Sequence, residues 1–127
     1  IISLIMAFTK PMQVKKADCN RIINDIAQAE LKYFEQNNDF LYVYETDNDG
    51  ILNINLQNYD GFDMFSCTVN RDNVDNKSVE IKVWPRSDDN QKKKFKDSFY
   101  SSYIYATQYQ SGELSKMKFK LEKKITE

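Results

Sequence analysis

The chain has 127 residues, 41% of them hydrophobic and 29% charged, which suits one folded domain and excludes a globally disordered segment. Its 18 basic and 19 acidic residues leave a net charge of −1, so no overall field draws it to nucleic acid or to an anionic membrane. Histidine is absent, which removes the usual proton carrier near neutral pH and the commonest metal ligand, and so argues against an enzyme and against a transition-metal cofactor.

In chain order, Ile1, Ile2, Leu4, Ile5, Met6 and Phe8 form an uncharged apolar run that Thr9-Lys10-Pro11 ends. Spanning a bilayer takes about 20 apolar residues, so this run reads as the tail of a longer span, a buried element or part of a signal peptide. No initiator methionine precedes it, and a processed or truncated chain is the expectation. Over residues 17–34 the apolar positions Cys19, Ile22, Ile23, Ile26, Ala27, Leu31, Tyr33 and Phe34 recur mainly at steps of three and four, while Asn20, Asp25, Gln28 and Lys32 fill the other side. That period predicts an amphipathic helix from about Pro11 to Glu35 with one core-facing stripe, ended by the polar run at 36–39. Pro11 either starts this helix or softens a longer one.

Beyond residue 38 the chain changes to short aromatic and β-branched runs broken by Asn, Asp, Gly and Ser. The expectation is an antiparallel meander with strands at 40–45, 51–57, 62–69, 78–84, 99–109 and 116–122. Alternation is clearest at Val79-Glu80-Ile81-Lys82-Val83 and Lys116-Met117-Lys118-Phe119-Lys120-Leu121, where one face is apolar and the other charged. Asp47-Asn48-Asp49-Gly50 has the residues of a tight reversal and predicts a hairpin between the first two strands. Residues 87–96 read as a long polar loop. The fold class expected is α+β, a single domain with an N-terminal helical part at 1–38 and a sheet part at 39–127.

Three parts of the sequence carry a family resemblance. The stretch Ala29-Glu30-Leu31-Lys32-Tyr33-Phe34-Glu35-Gln36-Asn37-Asn38-Asp39-Phe40 resembles the place where the long helix of type IV pilins ends, an alanine-rich run closing in Tyr-Phe and Asn. Residues 1–12 resemble the later part of that family's hydrophobic helix, with Pro11 where many pilins carry a proline. Gly61-Phe62-Asp63-Met64-Phe65-Ser66-Cys67-Thr68 is similar to the Tyr-Ser-Cys strands of some pilins. The early part of the family's helix, with the glutamate that follows the processing site, is not in this sequence, so the resemblance implies an N-terminally truncated pilin or pseudopilin. It also implies a structural subunit, held in the inner membrane by Ile1, Ile2, Leu4, Ile5, Met6, Phe8 and Pro11 before it polymerises with identical or related subunits into an extracellular filament.

Other motifs have two readings each. Cys19 lies on the helical stripe and Cys67 on a strand face; a disulfide between them would tie helix to sheet and contribute about 4 kcal/mol, and two separate buried thiols are the alternative. Asp47 and Asp49 resemble the opening of a calcium loop, yet Leu56 stands where that loop needs a bidentate glutamate, and a turn accounts for the same residues. Lys92, Lys93, Lys94 and Lys96, near Arg86, Phe99 and Tyr100, form the basic cluster in which single-stranded nucleic acid would find phosphate contacts and stacking rings; a solvated loop balanced by Asp88, Asp89 and Asp97 is the simpler reading. Asn76-Lys77-Ser78 matches a glycosylation sequon. The alternative to a filament subunit is a secreted or periplasmic binding domain of cystatin-like or NTF2-like outline, with Tyr103, Tyr105 and Tyr109 on its ligand-facing strands.

Overall fold

The computed structural model describes residues 16–59, 61–85 and 100–123. Within them the chain is α+β: one long helix, α1 (Lys16–Asn37), and a four-stranded antiparallel sheet of β1 (Phe62–Asn70), β2 (Ser78–Pro85), β3 (Tyr100–Tyr109) and β4 (Lys118–Lys123) in the order β1-β2-β3-β4. Between α1 and β1 the chain makes a short helix, α2 (Asp49–Leu52), and a 3-10 turn at Leu56–Asn58.

Helix α1 forms because its apolar residues repeat at the helical period, and the stripe they define goes down onto the sheet. Cys19, Ile22, Ile23, Ile26 and Ala27 are sealed from solvent, while Asn20, Arg21, Asn24, Asp25, Gln28 and Lys32 remain outside. At 22 residues the helix is about 33 Å long. It ends at Asn38, whose φ of 55° takes the left-handed turn that asparagine tolerates and whose N–H still donates to the Phe34 carbonyl at 2.8 Å. Lys77 Nζ, from the far end of the sheet, donates to the Asn38 carbonyl at 2.8 Å and supplies the cation that the last turn itself lacks. No described helix is long and apolar enough to cross a membrane.

The sheet divides its residues by parity. Val79, Ile81 and Val83 of β2 face the helix, paired across to Gln108, Ala106 and Ile104 of β3 and to Val69, Cys67 and Phe65 of β1. A register shift between Phe62 and Met64 changes the phase of β1, so that Phe62 and Phe65, an odd number of residues apart, are both buried. The helix lies over β2 and β3, and its stripe closes one continuous core with these residues, Phe40, Val43, Leu52 and Tyr59. Phe119 of β4 points to the same side but stays 44% exposed.

Two strands expected from the sequence are absent. Segment 40–45 pairs its backbone with the sheet, among the described residues, only at Val43, which exchanges N–H···O bonds of 3.0 and 2.8 Å with Cys67 on the outer edge of β1. Segment 51–57 forms α2 and the 3-10 turn, and Asp47-Asn48-Asp49-Gly50 leads into a helix rather than a hairpin. Local chemistry explains the change: Asn53 adopts φ 59° and closes α2, and Asn55 Oδ1 accepts from the Gln57 N–H at 3.0 Å, a side-chain bond that competes with a strand ladder. The β1 edge is also already used, because Val43 and Thr46 donate to the carbonyls of Cys67 and Phe65. Residues 11–15 of the expected helix and the expected loop at 87–96 lie outside the described residues.

Candidate functional site

Three places in the described chain hold groups that packing alone does not explain. The first is a buried carboxylate. Glu30 continues the stripe of α1, three residues on from Ala27 and four from Ile26, and is fully sealed. Its Oε1 accepts from the Leu41 N–H at 2.7 Å, pinning the chain just after the helix, whereas its Oε2 meets no N–H or O–H donor among the described residues. Burial, partly offset by the Leu41 bond, raises its pKa to about 7. The Cys67 thiol sits beside it, and burial and then the Glu30 charge push that thiol well above its ordinary value. A thiol so placed is inert as a nucleophile.

This geometry corrects the expected disulfide. Cys19 and Cys67 are free, buried thiols. Cys67 lies next to Glu30, which is about 16 Å along the helix axis from Cys19 at a rise of 1.5 Å per residue, whereas a disulfide needs Cα atoms within about 7 Å.

The second place is the outer face of the sheet, which carries an aromatic and lysine ladder. Tyr103 packs at 5.6 Å from the Trp84 ring and 5.7 Å from the Tyr105 ring, and Lys82 Nζ lies 5.1 Å over Tyr103. Lys118 and Lys120 of β4 stand opposite Tyr105 and Tyr103. Tyr103 is only 4% exposed, so it is a packed member of this face and not a free platform.

The third place is a polar cleft of about 500 Å³ at the end of the same outer face, where the β1–β2 turn rises beside β3. Asn70, Asp72, Asn73 and Asn76 line it from the turn, and Thr107 and Tyr109 from β3. The turn is held from several sides. Asn70 and Asn73 accept from the N–H groups of Asp72 and Asp75 at 2.9 and 3.1 Å. Gln110 accepts from the Lys77 N–H at 2.8 Å and donates to the Asp75 carbonyl at 2.7 Å. Arg71 forms an ion pair with Asp39 at 2.8 Å.

Of the residues singled out from sequence, Tyr109 lines this cleft, and Tyr103 and Tyr105 belong to the aromatic ladder instead. Asp47 is exposed and Asp49 opens α2; among the described residues no group of three or more carboxylates or thiols gathers as a metal site. Ile1, Ile2, Leu4, Ile5, Met6, Phe8 and Pro11 lie outside the described residues, as do Lys92, Lys93, Lys94 and Lys96. Sequence reasoning passed over Glu30 and Gln110. For Glu30 a signal existed, since position 30 falls on the stripe that runs through 19, 23 and 26; nothing local marks Gln110, whose partners lie more than 30 residues away.

Comparison with known proteins finds no matching family, no matching curated protein and no matching solved structure.

Proposed function

We propose that the chain is a structural subunit of a type IV pilus or pilus-like filament, and not an enzyme. The observation that carries the reading is the order of parts: an apolar run at 1–8, then a helix of 22 residues, then a four-stranded antiparallel meander that covers one side of that helix. The sheet takes up the apolar stripe of α1, and the uncharged run at 1–8 is the longest apolar stretch of the sequence's helical part, which assembly would use. Many copies of an apolar helix end bury one another in a bundle, and a head-to-tail contact that does not close produces an open helical polymer. In this reading the N-terminus rests in the inner membrane before assembly, the subunits join through it, and the sheet faces the outside of an extracellular filament.

The type IV pilin resemblance of residues 1–12, 29–40 and 61–68 supports the same reading. The test is a pair of charges in the apolar run. Leu4→Asp with Ile5→Asp is expected to abolish filaments in negative-stain micrographs while the thermal unfolding of the domain stays unchanged. Filaments as abundant as those of the unsubstituted chain would remove the proposed role of that run.

A further inference from the structure

The polar cleft beside Tyr109 has features that neither folding nor filament assembly requires. Its wall is fixed before any ligand arrives: the β1–β2 turn is clamped to β3 by Gln110, to the end of α1 by Lys77 and to Asp39 by Arg71. The connection between the two strands is residues 71–77, and a seven-residue turn needs no such anchoring to reverse direction, whereas a fixed wall lowers the entropy lost when something binds against it. The side chains on the cleft side are left unused. Among the described residues, Asn76, Thr107 and Tyr109 spend no side-chain hydrogen-bonding group on another part of the protein, and Asn70 and Asn73 use only their oxygens, leaving both amide groups free to donate.

The chemistry of the lining selects a ligand class. Among the described residues no lysine or arginine lines the cleft, and Asp72 and Glu80 do, so an anion such as a phosphate meets repulsion. Glu80 is already paired with Lys82 at 3.5 Å, which leaves Asp72 as the cleft carboxylate without an ion pair among the described residues, too little to favour a polycation. Amide donors, hydroxyls, one carboxylate and one aromatic ring are the set that suits a ligand with many hydroxyl groups and an apolar C–H face. The volume of about 500 Å³ lies in the range of small-molecule sites and accommodates one or two sugar rings.

We propose that this cleft binds a neutral carbohydrate, with a pyranose ring laid against Tyr109 and its hydroxyl groups held by Asn73, Asn76 and Asp72. The cleft lies on the sheet face away from α1, beside the turn that Lys77 ties to the end of that helix, and it includes no residue of the apolar run at 1–8.

The experiment is protein-observed NMR on the full chain, kept in a zwitterionic detergent that carries no sugar, titrated with glucose, galactose, mannose and N-acetylglucosamine to about 20 mM, where a site with a Kd near 1 mM is almost full. Putrescine and inorganic phosphate are titrated in parallel. The expected result is saturable amide shifts confined to residues 68–80 and 107–110 with at least one sugar, none with phosphate, and an affinity at least tenfold lower in Tyr109→Ala. Asn76→Ala, which removes a side chain with no internal hydrogen bond and so leaves folding intact, is expected to weaken the same sugar several-fold. Shifts with putrescine or phosphate alone, sugar shifts elsewhere on the chain, or no shifts with any of the four sugars would each overturn the proposal. None of these outcomes depends on whether the chain forms filaments.

Discussion

The inner and outer faces of the sheet are made from alternate residues of the same strands, and they behave differently. On the inner face Phe65, Val79, Ile81 and Val83 share one sealed core with Ile22, Ile23 and Ile26 of α1, and the polar intruders there are Glu30 of α1 and Gln108 of β3, whose amide donates to the Tyr109 and Glu113 carbonyls. On the outer face Lys82, Tyr105, Thr107 and Tyr109 keep polar atoms at the surface, and the space around them is part open cleft and part aromatic packing. The comparison teaches that stability is concentrated on one side of a two-residue period, which leaves the other side free to vary its chemistry without unfolding the domain.

The sharpest way to break that contrast is a cavity on the inner face. Phe65→Ala is expected to cost about 4 kcal/mol, read as a lower urea midpoint at an unchanged m-value. A cost below about 1 kcal/mol would mean that the sealed layer collapses freely and that the two faces are alike.

Next in size is the carboxylate within that layer. Glu30 ionises at about 4.5 in the unfolded chain and at about 7 in the fold, so its neutral form suits the native state. Its contribution is therefore intact below pH 4.5 and is lost as pH rises to about 7, a loss of about 3 kcal/mol. Glu30→Gln keeps an oxygen for the Leu41 N–H and has nothing to ionise. Denaturant titrations at pH 4.5 and pH 8 are expected to show the unsubstituted chain losing about 3 kcal/mol relative to the variant across this window. Parallel pH profiles for the two chains would show that the carboxylate is solvated in the fold.

The outer face is expected to respond less. Tyr105→Ser removes one ring contact with Tyr103 and is expected to cost about 1 kcal/mol, measured by the same denaturation. Smallest is the ion pair that links the turn to the end of α1. Arg71 and Asp39 are 52% and 34% exposed, so Arg71→Ala is expected to change stability by less than about 1 kcal/mol, with the difference shrinking further at about 1 M salt.

The helix and four of the strands were legible in the sequence because their patterns are local. The strands expected at 62–69, 78–84, 99–109 and 116–122 correspond to Phe62–Asn70, Ser78–Pro85, Tyr100–Tyr109 and Lys118–Lys123, with shifts of one or two residues at the ends. The stripe of α1 likewise follows from its period, although the helix runs two residues past the expected Glu35 to Asn37. Segment 51–57 misled because Leu52, Ile54 and Leu56, with Asn53 and Asn55 between them, imitate strand alternation, while the asparagines themselves turn the backbone. Cys19 and Cys67 were both correctly placed facing inward, but position along the helix, which decides whether they can bond, is not written in the spacing of 48 residues. The cleft was beyond sequence reading for a related reason. Its wall depends on Gln110, Lys77 and Arg71 meeting partners 32 to 39 residues away, and only the register of the sheet brings them there.

The central claim is assembly through the apolar N-terminus, and helical reconstruction by cryo-electron microscopy of the native material tests it most directly. The account predicts thin filaments in which residues 1–8 of each subunit lie in a central helical bundle, with the β1-β2-β3-β4 sheet on the outside. Discrete, monodisperse particles in which those eight residues fold back against their own domain would contradict it.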